Sequence, residues 1–365
     1  MKNFQEAIGR NISFHNGEMI DGILLTLSLP STSGDYYGRK NESDKIWKER
    51  ECYIVEEQNR IDLINEYINK IESRPIINDD YVPVEYPTLH LGESYCAAML
   101  GADVTFYGTA NYTCSGAKPI IKTVKDLEKL VINQNNYWLK FIQSALKHFC
   151  ELAGGKMLLV PIIAMDALNL AVELMGSTEA YTAVYENPDL LHKIMDFGVE
   201  YMTYIYKIQD AIIRPYNNQT INADSSVFGG MLMSVDAYTV CNPKIYETMG
   251  LEYQQKLLNQ VGYGYMHMHG FGLDILLPLT AKLRGIKNYK LGRDLKAQEN
   301  LPFESIKWMR KILGDDRQMS TYLSQEEFIS GINNKTLPFN AHYSCWTDNL
   351  DTAKKMVEMA KNYHK

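Results

Sequence analysis

GYGYMHMHGFGLDILLPLTAKLRGIKNYKLGRD, residues 262–294, reads as a strand, a helix and a second strand in immediate succession. GYGYMHMH (262–269) is the first strand, DILLPLTAKLRG (274–285) the helix and YKLGRD (289–294) the second strand. Strands joined through a helix run parallel. The same alternation extends outward in both directions. On the C-terminal side come a helix at PFESIKWMRKIL (302–313), a strand at RQMST (317–321), a helix near 325–332, a strand around 337–343 and a last helix at about 349–362. On the N-terminal side TINAD (220–224) and the unbroken apolar run KMLLVPII (156–163) read as strands, the latter as one buried on both faces. Asn187-Pro188 is a cap followed by proline at the first helical position, so it separates two helices. Earlier still, VTFY (104–107) reads as a strand, and helices are expected at about 57–72, 92–100 and 123–152. Residues 30–50, polar with Gly and Ser, read as a long loop. About seven or eight strand–helix units with no break in composition predict a closed (β/α)₈ barrel at 91–365, with an N-terminal helical and loop extension at 1–90 packed against it.

Composition narrows the function classes. The chain has 365 residues, 45% hydrophobic and 22% charged, which excludes disorder. The longest apolar stretch, Met157 to Met165, falls far short of the ~20 residues of a spanning helix. A net charge of −7 with no basic run disfavours nucleic acid. Six scattered cysteines without a CxxC pair, and the absence of an apolar segment in MKNFQEAIGRN, predict a reduced, cytoplasmic protein. Oligomeric state stays open, a homodimer included. No GxxxxGK[ST], GxGxxG after a strand, HExxH or GxSxG is present.

In a barrel, chemistry gathers at the C-terminal strand ends. His267 and His269 share one strand face at such an end. Two imidazoles so placed either chelate a metal ion or line a polar pocket while donating to backbone carbonyls. Cys345, in HYSCWTDN before a helix that Thr347 or Asp348 would cap, is either a ligand or nucleophile or a buried small hydrophobe. His342 either joins it or packs against the loop. Asp224 at the end of TINAD is a candidate acid, base or substrate anchor, or a capping residue. Asp166 offers the same choice, as the N-cap of ALNLAVELM or as a residue lining the mouth. Arg293-Asp294 reads as a candidate strand-end ion pair. Of 25 tyrosines, Tyr107, Tyr263, Tyr265 and Tyr343 lie in or beside strands and are candidates for an aromatic cage, or are packed amphipathic residues.

MDALNLAVELMGSTEAYTAVYENPDLLHKIMD (165–196), NADSSVFGGMLMSVDAYTVCNPKIY (222–246), YMHMHGFGLDILLPLTAKLRGIK (265–287) and HYSCWTDNLDTAKKMVEMAKN (342–362) resemble, in order, the uroporphyrinogen decarboxylase superfamily. The resemblance covers about 90–362 and implies a (β/α)₈ barrel. The Arg-rich segment of true uroporphyrinogen decarboxylases has no counterpart in residues 1–30, which hold only Arg10. The remaining branch implies a methyltransferase working with a corrinoid on a partner protein. Its zinc ligands, a His-x-Cys and a later Cys, fall on His267, His269 and Cys345, with a histidine replacing the first thiolate. With that reading, His267 and Asp224 are expected to be catalytic, and Asp166, Asn222, Tyr107, Tyr265 and Tyr343 to contact a methylated amine, ether or thiol. A decarboxylase of a porphyrinogen or small acid, and a non-catalytic barrel binding a small molecule or the corrinoid partner, are the alternatives.

Overall fold

A computed structural model describes residues 4–29, 53–85, 91–92, 94–109, 112–160, 166–217, 223–224, 227–228, 230–293, 301–347 and 349–365; for 53, 107–109, 112–114, 223–224 and 227–228 it describes the backbone alone. Its strands are β1 Ile23–Ser28, β2 Val84–Glu85, β3 Val104–Thr109, β4 Tyr112–Ala117, β5 Leu158–Leu159, β6 Ala223–Asp224, β7 Val227–Phe228, β8 Met231–Ser234, β9 Gly264–Met268, β10 Ile286–Leu291, β11 Gln318–Leu323 and β12 Ala341–Trp346. Six of them form one parallel sheet in the order β1-β12-β11-β10-β9-β8, and helices follow β8 through β12. The protein is therefore α/β.

The strand–helix rhythm of 262–294 holds, with the helix at Leu273–Thr280. Three departures matter. First, ILLTLS at 23–28 is a strand paired with β12, so residues before 90 contribute to the central sheet rather than only packing on it. Second, β3 pairs antiparallel with β4, so VTFY belongs to a hairpin outside the parallel sheet. Third, the described end of TINAD pairs antiparallel with β7, and among the described residues no ladder joins β5 to β8. β2 and β5 pair in parallel as a separate two-stranded sheet.

The free edge of β1 is covered in an unusual way. Asp80 N–H donates to Leu25 O (2.8 Å), while the carboxylates of Asp80 and Asp79 accept Leu25 N–H (2.8 Å) and Leu27 N–H (2.9 Å). Arg74 holds Asp79 at 2.7 Å and also donates to Leu27 O (2.9 Å). A strand edge that would otherwise offer open donors and acceptors is thus occupied by the Asp80 backbone N–H and three side chains.

Helix ends are set locally. Asn187 accepts Leu190 N–H (3.4 Å) ahead of Pro188, starting the helix Pro188–Ile213 as expected. Asn136 caps Tyr137–Ala153, which ends on Gly154 at φ 52°, a left-handed conformation suited to glycine. Among the described residues, no helix is long and apolar enough to cross a membrane.

Strand alternation gives the sheet two distinct faces. Met266, Met268, Tyr289, Leu291, Met319, Leu323, Tyr343 and Leu25 belong to the main hydrophobic core with the helices. At about 1.5–3 kcal/mol for each large apolar side chain buried, that face anchors the fold. The opposite face carries Ser234, His267, Lys290, Ser320, His342 and Leu24 in one row across the six strands.

Candidate active site

β9 delivers His267, half-buried, and the chain just beyond it delivers His269, exposed. Their Nε2 atoms lie 3.2 Å apart, with the rings edge to face at 87°. Gly272 follows at φ 73°, turning the chain into the next helix at a position that costs glycine little. Two imidazole nitrogens at this separation share one proton or hold one cation. Tetrahedral chelation with bonds near 2.0–2.1 Å needs a separation of roughly 3.3 Å.

Cys345 does not complete that set. It lies within β12, not after it, and it faces the helix-covered core with Tyr343, at 3% exposure. His342, whose parity along β12 is opposite, shares the face of His267. Burial pushes the Cys345 thiol far up, opposing thiolate formation. Among the described residues no three His, Cys, Asp or Glu side chains gather as a metal site. The residues present do not fit the expected His₂Cys zinc centre.

Tyr343 shares the parity of Cys345 along β12 and so lies on the core face, where its hydroxyl donates to Pro338 O (2.8 Å). Tyr265 stays on the polar face but is 3% exposed, one step below His267. Tyr107 is a hairpin residue whose side chain is outside the described residues, as are the side chain of Asp224 and all of Asn222. Arg293 pairs with Glu327 at 2.9 Å through two bonds, and Asp294 is outside the described residues. Asn349 caps the final helix, while Thr347 donates to Gln325 at 2.6 Å.

Lys290 and Asn288 on the polar face went unread in the sequence, and His342, read as joining Cys345 or packing against the loop, does neither. Lys290 stands beside His267 in register. Asn288 is fully buried, receives a hydrogen bond from Ser320 (3.2 Å), and leaves its Nδ2 unpartnered. His342 Nε2 meets Thr26 Oγ1 at 2.8 Å. The signal was available: in IKNYKL, alternation puts Asn288 and Lys290 on one face.

Asp166 is an N-cap, accepting Leu168 N–H (2.8 Å) and Asn169 N–H (2.9 Å) through Oδ1. It is also more than a cap. Its Oδ2 is unpartnered, and burial, helped by the charge of Asp236, pushes the carboxyl up to about 7. Asp236 follows β8 and donates its N–H to Ser234 Oγ (3.0 Å), and Ser234 is the register partner of His267. The acid cluster and the histidine pair therefore lie toward the same, C-terminal end of the sheet.

No protein-family model matches the chain, and no curated protein matches it.

Proposed function

We propose that the protein is an enzyme built on a closed (β/α)₈ barrel that moves a methyl group between a small methylated substrate and a corrinoid carried by a partner protein. Four ordered segments resembling the uroporphyrinogen decarboxylase superfamily support this reading. One observation carries it: the imidazole pair, 3.2 Å apart, ends the polar face at the C-terminal edge of β9, where such a barrel does its chemistry. The corrinoid supplies the nucleophile or the methyl group. The chain's own residues orient the donor in line with it. The His267–His269 pair is placed to pass a proton to the departing oxygen, sulfur or nitrogen. Lys290 beside the pair adds positive charge that favours a developing anion.

A decarboxylase is the second reading, favoured by Asp166. A carboxyl pushed up to about 7 keeps a proton near neutrality and can deliver it to a carbanion.

The test follows methylcobalamin formation from cob(I)alamin by absorbance, across methylated amines, ethers and thiols. Turnover that falls about 10²-fold or more in His267→Ala supports methyl transfer. Porphyrinogen or small-acid decarboxylation without methyl transfer establishes the second reading. Binding without any turnover leaves a non-catalytic barrel.

A further inference from the structure

Three polar atoms in one neighbourhood are buried without hydrogen-bond partners: Asp166 Oδ2, Asp236 Oδ1 and the Tyr238 hydroxyl. Asp166 and Tyr238 are each 1% exposed, and Asp236 is half-buried. Two contacts bring them together. The helix Ala167–Met175, which Asp166 caps, packs on the single turn Asp236–Tyr238. Tyr181 fixes that turn by donating to Ala237 O at 3.2 Å. With Asp166 Oδ1 occupied by the helix N-terminus, Oδ2 is left for another partner.

The charge balance is one-sided. Among the described residues, the groups whose titration is coupled to the charge of Asp166 are Asp236, Tyr238, Tyr181, Cys241 and Tyr246, all of them acids. Among the described residues neither carboxylate makes an ion pair. A buried carboxylate without a counter-charge is costly, and orphaned buried polar atoms in a native protein call for an absent partner. Two carboxylate oxygens and a phenol oxygen accept hydrogen bonds, so the complement is a small cation bearing N–H donors.

We propose that Asp166, Asp236 and Tyr238 form a binding subsite for the ammonium group of a small amine. Three acceptors match the three N–H bonds of a primary ammonium, and a quaternary ammonium offers none. The inference concerns binding alone. It narrows the substrate class of the proposed reaction to amines but holds without methyl transfer.

The experiment uses the full chain in sodium phosphate, with thermal shift and calorimetry as readouts. The probes are methylammonium and tetramethylammonium chlorides, with sodium and magnesium chlorides at matched ionic strength. Saturable stabilisation by methylammonium, binding weakened at least about tenfold by Asp236→Asn and by Tyr238→Phe, is the expected result. Binding also weakens from pH 8 to pH 6 as Asp166 takes up a proton. Asp166→Asn retains the helix cap, since Asn caps as well as Asp, so its loss of binding is separable from unfolding. No saturable binding, equal binding of tetramethylammonium, equal binding by the variants, or replacement by sodium or magnesium would each overturn the proposal. The cob(I)alamin assay on the same samples reads the other proposal separately: ammonium binding without turnover removes methyl transfer and leaves this site standing.

Discussion

The two faces of the central sheet are buried alike and built differently. Tyr343 is 0% exposed on the helix side and His342 is 1% exposed on the other, one residue away along the same strand. Solvent exposure does not separate them; what lies opposite does. The first face meets helices and is apolar. The second is largely polar, joined by bonds such as Thr26–His342 and Ser320–Asn288, and on β11 and β12 it meets Phe14 of the helix Gln5–His15. That polar face leads along β9 to His267, with His269 just beyond it.

That contrast predicts unequal costs. Met266→Ala on the helix side should lose about 2–5 kcal/mol of stability through lost burial and a cavity. Ser320→Ala on the polar side should lose only about 1 kcal/mol, the worth of one hydrogen bond. Urea unfolding of both variants decides it, and equal losses would break the comparison.

The acid cluster combines the burial of one face with the polarity of the other. Its Asp166 carboxyl is raised from 3.8 to about 7 in the folded chain. Between those values the folded protein binds more protons than the unfolded chain, so stability falls as pH rises toward 7 and is level above it. At about 1.4 kcal/mol per unit, the effect is on the order of a few kcal/mol. Asp166→Asn should lose that slope. Melting curves from pH 4 to 8 in amine-free buffer compare the two, and parallel slopes would contradict the burial argument.

The smallest expected effect is at Cys345. On the covered face it should resist iodoacetamide in the folded protein, and Cys345→Ser should leave bound-metal content and turnover unchanged. Rapid alkylation, or metal lost in the variant, would return Cys345 to the histidines' side.

Much of this frame was readable from residues alone. Periodicity located β9 to β12 and the helices between them, and Asn187-Pro188 marked its helix start because cap and proline act locally. The His267–His269 pair was visible because period-2 alternation is a local rule. What failed depended on strand boundaries and distant partners. Ending the last strand near 343 put Cys345 in a loop; in a strand that runs to Trp346, its odd offset from His342 places the two on opposite faces. ILLTLS at 23–28 was not read as a strand, and its partner lies at the far end of the chain. Asp236 and Tyr238 carry no motif. Their significance comes from the helix that Asp166 caps packing on their turn.

The pairing of β1 with β12 sets a constraint on how the molecule is made. Thr26 and His342, bonded to one another, are 316 positions apart. At 5–20 residues per second, synthesis leaves β1 waiting roughly 15–60 s for its sheet partner. The Asp79–Asp80 and Arg74 clasp on its other edge lies within about 55 positions, so it is completed early. That clasp closes one edge of β1 early, while the edge that pairs with β12 stays open until the last strand leaves the ribosome.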